Sequence, residues 1–481
     1  MNYSKATLLE SPVFRHFDEL CHIPHVSGNE KALSDHILAW AMERGLQAEQ
    51  DAHHNLYIRK PASKGYENAP SVMLQAHLDM VGDQPGGGTF DFAHQPIEWI
   101  IEGDTITTGG KTTLGADDGA GVALIQSILE DDTLAHPALE VALTAMEEVD
   151  FSGADKFDFP FTSELFINLD GSYDTQILCS SSGGMDADVV LPLTYQPAAD
   201  GSVCARISVA GLAGGHSGRE INRGHDSAIA VMGRFLLALS GSVPFLISRV
   251  DGGNGYTSIS RDASAEIVLD PSDMPALRDA VKQLQEVMRQ EHPRTSSGIE
   301  VSLSDALCPA QAAQAQSIIA WLTLSPNGIV QMNEMFPGVV ESSVNLGTVK
   351  TDEAGMHFKF DIRSLPEQMG RFSYNRIALL AKMTGASCAT SLQYPSWTLR
   401  EPSALRSTAV DVYRQLNGSE PEVLSIHVGL EVGYFCRRKP QLDAISIGPL
   451  RWGAHGPAEA MNIPSLYRCF EYLKALLAAI R

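Results

Sequence analysis

The amino-acid sequence comprises 481 residues, of which 44% are hydrophobic, and carries a formal net charge of −23 at pH 7. A chain of this length exceeds what one hydrophobic core usually organises, so we expect two or more domains. The negative charge argues against nucleic acid or a membrane surface as a partner, and no apolar run is long enough to cross a bilayer.

The N-terminal twenty residues carry acidic side chains among apolar ones and lack the apolar core of a signal peptide. The seven cysteines are scattered and form no Cys-x-x-Cys pair. This pattern suits a reducing compartment and gives no support to a thiolate metal site. We therefore expect a cytoplasmic protein.

Residues 1–186 alternate between helices, such as Lys31–Arg44, and short apolar strands. Four predicted strands, three here and one near the C-terminus, are each followed by polar residues. The strands are Val72–Ala76, Leu139–Ala145, Leu165–Leu169 and Ala444–Ile447, and they lead to His77, to Glu147 and Glu148, to Asp170 and to His455, respectively. Open α/β sheets bind ligands in the crevice beyond the carboxyl ends of their strands, so we expect these side chains to come together.

Asp117 differs from these residues because it precedes a predicted helix, Gly119–Leu129. A carboxylate at that point suits the N-terminus of a helix electrostatically. Asp117 is therefore a further candidate for the same site.

The central part of the chain, residues 187–391, contains two similar stretches in which strands are followed by a helix. The first stretch contains a strand at 206–210, a helix at 225–240, a strand at 264–270 and a helix at 275–289. The second contains strands at 328–331, 340–350 and 356–363 and a helix at 370–383. We interpret this region as an inserted α+β domain with a divergent internal repeat. It would divide an α/β catalytic domain into residues 1–186 and 392–481, and it could close over the site as a lid.

The polar residues beyond the strands have the chemistry of a centre for two divalent metal ions. Imidazole nitrogens and carboxylate oxygens suit zinc, and also manganese or cobalt. His77 and Asp170 would serve one ion, His455 and one of the adjacent glutamates the other, and Asp117 would bridge them. Asp79, two residues beyond His77, can hydrogen-bond the second ring nitrogen of that histidine. The sequence pattern alone leaves open which glutamate is the ligand and which the general base.

These motifs resemble those of the co-catalytic zinc exopeptidases. The resemblance is carried by His77-Leu78-Asp79, the segment 114–119, Glu147-Glu148, Asp170 and the segment 448–459. Within that family, the chain is similar over essentially its full length to the aminoacyl-histidine dipeptidases. The resemblance implies a zinc-exopeptidase-like α/β catalytic domain, two divalent ions, Zn²⁺ with Mn²⁺ or Co²⁺ as alternatives, and hydrolysis of Xaa-His dipeptides by a metal-activated water.

The resemblance also implies roles for individual residues. In the catalytic domain it assigns Glu147 as the general base, Glu148 as a metal ligand and Asp79 as the residue that orients His77. In the inserted domain, His216 matches a histidine that stabilises the oxyanion. The matched substrate-binding residues are Asn254 and Arg363, which would hold the terminal carboxylate, and Gly429, which would make a backbone contact.

The chain departs from these dipeptidases after Asp170, where Gly171-Ser172-Tyr173 replaces a more acidic run. This difference leaves the substrate preference open, and an N-acyl-amino-acid amidohydrolase that uses the same centre is the alternative function. The expected partner is a small peptide rather than nucleic acid or a membrane. The sequence leaves open whether the protein forms a homodimer.

Overall fold

The computed structural model describes residues 3–291, 293–295 and 298–481. The chain divides into two compact units. The first comprises Met1–Ser180, Trp397–Ser425 and Leu430–Arg481, and the second comprises Ser181–Ser396 and Ile426–Gly429. The predicted α/β class with an inserted α+β segment is confirmed. The internal repeat, and the functional domain limits at residues 187 and 391, stay predictions.

The first unit is built on an eight-stranded sheet. In spatial order its strands are Gln47–Gln50, Leu56–Lys60, Leu139–Thr144, Val72–His77, Leu165–Asn168, Asp443–Ser446, Gln176–Ser181 and Glu422–Ile426. The four central strands are mutually parallel. They are the four strands predicted to lead to polar residues, so their carboxyl ends lie at one edge of the sheet.

The central strands are buried because helices cover the sheet, as is usual for parallel strands. All six residues of Val72–His77 and of Leu139–Thr144 are buried. The helices of this unit are Lys5–Leu8, Pro12–Cys21, Lys31–Glu43, Ala116–Glu130, Glu147–Asp150, Ser152–Lys156, Ala404–Asn417, Val432–Arg438 and Ile463–Ala479. Throughout the described ranges, no helix combines the length and apolarity needed to cross a membrane.

Two local features of this unit follow from the sequence. The helix Lys31–Glu43 ends just before Gly45, whose φ of 75° is favourable for glycine, as the predicted stop requires. The helix Ala116–Glu130 has non-helical backbone angles at Asp117 and Asp118. These two carboxylates therefore sit on an irregular turn from which the regular helix continues.

A small four-stranded sheet flanks the segment that contains His455. Its strands, in spatial order, are Arg451–Trp452, Ala460–Asn462, Thr105–Thr107 and Ile100–Glu102. The hairpin formed by the first two strands holds the intervening turn, residues 453–459. His455 lies in that turn with a positive φ of 66°.

The second unit contains a twelve-stranded sheet and several helices. Along the main path of the sheet, the strands are Glu300–Ala306, Val203–Ala210, Ala263–Leu269, Phe245–Gly252, Val340–Asp352, Gly355–Ser364, Gly183–Leu191 and Ser387–Ala389. Further strands are Tyr195–Pro197, Gln311–Gln314, Gly328–Met332 and Gln393–Tyr394 on this sheet, and the separate pair Gly215–His216 and Ser258–Ile259. The helices are Ser217–Glu220, Ala228–Ser240, Pro271–Asp273 (3-10), Met274–Glu291, Ala315–Leu324 and Glu367–Thr384.

Candidate metal centre

The parallel register of the first unit brings the predicted residues to one edge. His77 is the last residue of its strand and pairs with Thr144, the last residue of the neighbouring strand. The turn after Thr144 leads to Glu147 and Glu148, and Asp170 follows the next strand by two residues. The structure thus delivers these four side chains from adjacent strand ends.

A close backbone approach brings the loop that leads to His455 beside Asp170. The amide of Gly171 donates a hydrogen bond to the carbonyl oxygen of Ile447 at 3.0 Å. A Cβ atom on Gly171 would lie only 2.5 Å from the carbonyl carbon of Ile447. Glycine at this position, which is part of the departure noted in the sequence, is therefore required by packing.

Asp117 lies between two histidines and directs one oxygen towards each. Its Oδ1 is 3.2 Å from His77 Nε2, and its Oδ2 is 3.6 Å from His455 Nε2. His77 Nε2 is also 3.9 Å from Asp170 Oδ1, and His455 Nε2 is 2.9 Å from Glu148 Oε2. The five predicted ligands therefore form two sets that share Asp117.

The side chains suit divalent cations in composition and spacing. Potential ligand atoms of His77, Asp117 and Glu148 lie within 4.8 Å of one another, and so do those of His77, Asp118 and Asp170. Glu148 Oε1 is buried and has no hydrogen-bond partner among the described residues. A buried oxygen without a partner costs free energy, and a cation would satisfy it. The donor set therefore fits divalent cations.

Asp79 organises both glutamates as well as His77. Its carboxylate accepts hydrogen bonds from the backbone amides of Glu147 at 2.9 Å and Glu148 at 3.1 Å, and from Ser27 Oγ at 2.7 Å. His77 Nδ1 lies 2.9 Å from the backbone oxygen of Asp79 and 3.6 Å from its Oδ1. The backbone oxygen is thus the nearer acceptor for His77, and the carboxylate fixes the turn that presents the glutamates.

The electrostatics of the centre reflect many buried carboxylates in a small volume. Burial raises the pKa of Glu147 well above its usual range, and the neighbouring charges of Glu148 and Asp170 act in the same direction. Burial also disfavours the charged form of Asp117, but Arg451 and the two histidines hold its pKa well below the usual range. A glutamate with a raised pKa is suited to accept a proton near neutral pH.

Metal binding should depend on pH because a histidine must lose its proton before it can bind a cation. Hydrogen bonds to Asp117 and Glu148 raise the pKa of His455 to about 10 in the metal-free protein. Below that pH, each bound ion that uses His455 displaces a proton. We therefore expect the metal affinity to increase from pH 6 to pH 8, by about tenfold per pH unit for each proton released.

This expectation can be checked by titration calorimetry with Zn²⁺ in buffers of different ionisation enthalpy, which counts the protons released. His455→Gln should release about one proton fewer than the wild type. The matched control is His22→Gln, because His22 is exposed and its Nδ1 contacts Asp18. A metal affinity that does not change with pH would contradict the protonated state of His455.

Sequence reasoning did not identify three charged residues that support the centre. Arg451 is 3% exposed and contacts Asp117, with a distance of 3.0 Å from Nη1 to Oδ1. Asp118, also buried, directly follows Asp117. Glu459 accepts hydrogen bonds from the amides of Leu114, Gly115 and Asp117 at 2.7, 2.9 and 3.0 Å, and so holds the loop that carries Asp117. The sequence signal that pointed to them is their position in the segments 114–119 and 448–459, which carry the family resemblance.

A layer of buried polar residues lies beneath the predicted ligands. Thr144 Oγ1 and Gln75 Nε2 both donate to Glu431 Oε2, at 2.6 and 2.5 Å. Gln75 also accepts from Asn168 Nδ2 at 2.6 Å. Burial raises the pKa of Glu431 to about 8. Gln75 and Asn168 precede the predicted ligands His77 and Asp170 by two residues each, so this network links the two strands that lead to them.

In the second unit, His216 begins the short helix Ser217–Glu220. Its Nδ1 accepts hydrogen bonds from the amides of Gly218 at 3.0 Å and Arg219 at 3.3 Å. In a neutral imidazole, an accepting Nδ1 places the proton on Nε2. The ring is therefore held in the tautomer that can donate from Nε2.

Arg363 is buried and held in a fixed orientation. Its Nε donates to Asp361 Oδ2 at 2.8 Å, and its Nη1 lies 3.3 Å from Tyr394 Oη. The segment that contains Gly429 lies close by, because a Cβ atom on Gly218 would be 2.6 Å from the carbonyl oxygen of His427 and 3.2 Å from Arg363 Cζ. The histidine loop, Arg363 and the Gly429 segment are thus neighbours within this unit.

Asn254 is exposed, unlike Arg363. It lines an open groove of about 530 Å³ together with Asp251 and Lys350. Within the described part of the chain, no hydrogen bond joins Asn254 to Arg363. It precedes the strand Ser258–Ile259, which pairs with the strand that contains His216.

Comparisons with known proteins agree with this geometry. A family model described as a peptidase dimerisation domain, of M20 peptidases, matches residues 207–296. The cytosol non-specific dipeptidase of Escherichia coli strain K12 is 32% identical over 477 residues, which cover 98% of each chain.

Solved structures give the same result. The crystal structure of aminoacylhistidine dipeptidase from Vibrio alginolyticus has a TM-score of 0.87 and 30% sequence identity, and covers 100% of this chain and 99% of that chain. Aminopeptidase PepT from Bacillus cereus ATCC 10987 is similar in fold alone, with a TM-score of 0.55, 15% identity and 98% coverage of both chains. With a full-length relative at 32% identity, this chain belongs to the M20 family of metallopeptidases, in the group of the cytosol non-specific and aminoacyl-histidine dipeptidases.

Proposed function

We propose that this protein is a metal-dependent dipeptidase that hydrolyses Xaa-His and related dipeptides with two divalent ions, physiologically Zn²⁺. The observation that carries the proposal is the position of Asp117. Its two oxygens face two histidines that come from different parts of the chain, His77 and His455. A bridging carboxylate of this kind offsets the repulsion between two cations.

The ligands divide into two sets around Asp117. His77 and Asp170 would hold one ion, and Glu148 and His455 the other. When bound, the ions supply Lewis-acid catalysis, which lowers the pKa of water towards about 7 and polarises a carbonyl group. Imidazole and carboxylate ligands without thiolates suit zinc, and they also accept manganese or cobalt.

Glu147 is the proposed proton carrier. It takes a proton from the attacking water and passes it to the leaving amine. Two features support this role: its pKa is raised by burial, and its backbone amide is anchored on Asp79 at 2.9 Å. The anchor keeps Glu147 in position while Glu148, the next residue, faces His455.

We propose that the substrate is recognised by residues of the second unit. His216 would donate from Nε2 to the developing oxyanion, because its Nδ1 is already occupied as an acceptor. Arg363 would bind the terminal carboxylate with its guanidinium fork, assisted by Asn254. Gly429 would contribute a backbone contact. In this proposal, residues 187–391 act as a lid on a catalytic domain formed by residues 1–186 and 392–481.

We also propose that the protein acts in the cytoplasm and forms a homodimer. The E. coli relative is named a cytosol dipeptidase, and the matched family model is named a dimerisation domain. The matched segment, residues 207–296, lies within the second unit. The mass of the protein in solution, measured by light scattering, tests whether it is a dimer.

A substrate panel tests the function. The purified protein, loaded with Zn²⁺, Mn²⁺ or Co²⁺ in separate samples, is assayed with unblocked Xaa-His dipeptides, other dipeptides and N-acetyl amino acids. We expect the unblocked dipeptides to be hydrolysed with the highest kcat/KM, and chelation to abolish activity. Preference for the N-acetyl substrates would replace the proposal with an N-acyl-amino-acid amidohydrolase.

A further inference from the structure

A buried arginine lies directly among the carboxylates of the metal centre. Arg451 Nη1 is 3.0 Å from Asp117 Oδ1 and 3.3 Å from Asp118 Oδ1, and Nη2 contacts the Asp170 carboxylate. The guanidinium also donates to the backbone oxygens of Ala116 at 3.0 Å and Asp170 at 2.7 Å. These backbone hydrogen bonds hold the Arg451 guanidinium in place independently of its contacts with the carboxylates.

The contacts of Arg451 fall on one side of the centre. The oxygen of Asp117 that Arg451 approaches is the one that faces His77, and Asp170 belongs to the same side. No contact joins Arg451 to Glu148 or His455 in the described ranges of the chain. Its positive charge is therefore much closer to the cation position defined by His77 and Asp170 than to the other one.

Asp118 is a third carboxylate that faces the buried arginine, besides Asp117 and Asp170. It is fully buried, and its Oδ1 accepts from Gly121 N at 3.2 Å and faces Arg451. Its Oδ2 has no hydrogen-bond partner among the described residues. A buried charge that loses its partner is costly, so the arginine and the aspartate should be considered as one unit.

A fixed cation at this position has two consequences for metal binding. Without metal, it offsets the repulsion between Asp117 and Asp170, so the ligands are assembled before an ion arrives. With metal, it repels a divalent ion a few ångströms away in a site of low dielectric constant. Arginine keeps its charge at all accessible pH values, so this repulsion cannot be relieved by deprotonation.

We propose that Arg451, paired with Asp118, is a positioning residue that makes the metal site of His77 and Asp170 the weaker of the two. The enzyme would then hold the ion of Glu148 and His455 tightly and exchange the other one. The inference rests on the metal centre of the proposed function. Its test contains no substrate, so its failure is separate from a failure to hydrolyse dipeptides.

The test measures binding of Zn²⁺ alone to metal-free full-length protein, by equilibrium dialysis with elemental analysis and by titration calorimetry. The informative variant is the double substitution Arg451→Met with Asp118→Asn, which removes both members of the pair and keeps Asp117 and Asp170 available to the metal. The matched control is Asp118→Asn alone, which keeps Arg451 and removes one of the three carboxylates that it faces. Thermal unfolding of each metal-free protein verifies that it is folded.

We expect the wild type to bind two ions with dissociation constants that differ by about tenfold or more. The double variant should tighten the weaker site by at least about fivefold, and Asp118→Asn should weaken it. The inference is overturned if the wild type binds both ions equally, or if the double variant tightens the weaker site by less than about fivefold. If the double variant does not fold, unchanged or tighter binding in Asp118→Asn overturns it as well.

Discussion

Replacement of Glu147 by glutamine is expected to lower kcat for Xaa-His hydrolysis by about 10²–10⁴-fold, the usual contribution of a general base. Glutamine has nearly the same shape but cannot accept the proton. The backbone amide of residue 147 would keep its hydrogen bond to Asp79, so the turn should remain intact. Among the described residues, no ion pair joins Glu147 to His77 or His455, whereas Glu148 pairs with His455, and the number of bound ions should therefore stay at two.

The adjacent residue provides a matched control. Glu148→Gln changes the same side chain one position further along, where Oε2 lies 2.9 Å from His455 Nε2. We expect this variant to lose activity together with bound metal, as measured by elemental analysis of the dialysed protein. If Glu147→Gln also lost metal, or if it kept full turnover, Glu147 would not be the general base.

The part of the centre that the sequence predicted is the part governed by strand topology. Polar residues placed after four apolar strands meet because parallel strands end at a common edge. This rule alone predicts that His77 and Asp170 lie close together, and their strands are adjacent in the sheet. This rule cannot decide between Glu147 and Glu148. They are consecutive residues of one short helix, so their side chains point in different directions from the same strand end. The family resemblance was needed to decide between them.

Contacts between distant segments could not be predicted in this way. Arg451 reaches Asp117 and Asp118 because the hairpin whose turn contains His455 folds against the start of the helix Ala116–Glu130. Arg451 lies within the segment 448–459 that carries the family resemblance, but nothing in that segment shows that it reaches Asp117 and Asp118. The hydrogen bonds from the amides of Glu147 and Glu148 to the Asp79 carboxylate likewise depend on a turn with unusual backbone angles. In that turn Met146 has a φ of 59°.

The second large effect is expected when Arg363 is replaced. If its guanidinium binds the terminal carboxylate of the substrate, Arg363→Met should lower kcat/KM for dipeptides by about 10²-fold or more, since truncating one partner of a buried charge pair costs about 2–5 kcal/mol. The preorganisation of the side chain supports an effect of this size. Asp361 and Tyr394 already hold the guanidinium, so little conformational entropy is lost on binding.

The decisive measurement compares each dipeptide with its C-terminal amide, because the ratio of the two kcat/KM values is independent of the fraction of active protein. The wild type should prefer the free carboxylate strongly, and Arg363→Met should lose that preference. Arg363→Lys should recover it only in part, since an ammonium group keeps the charge without the fork. Arg206→Met is the matched control, because Arg206 pairs with Glu266 on an exposed part of the same unit. A preference that survives in Arg363→Met would assign carboxylate recognition to another residue.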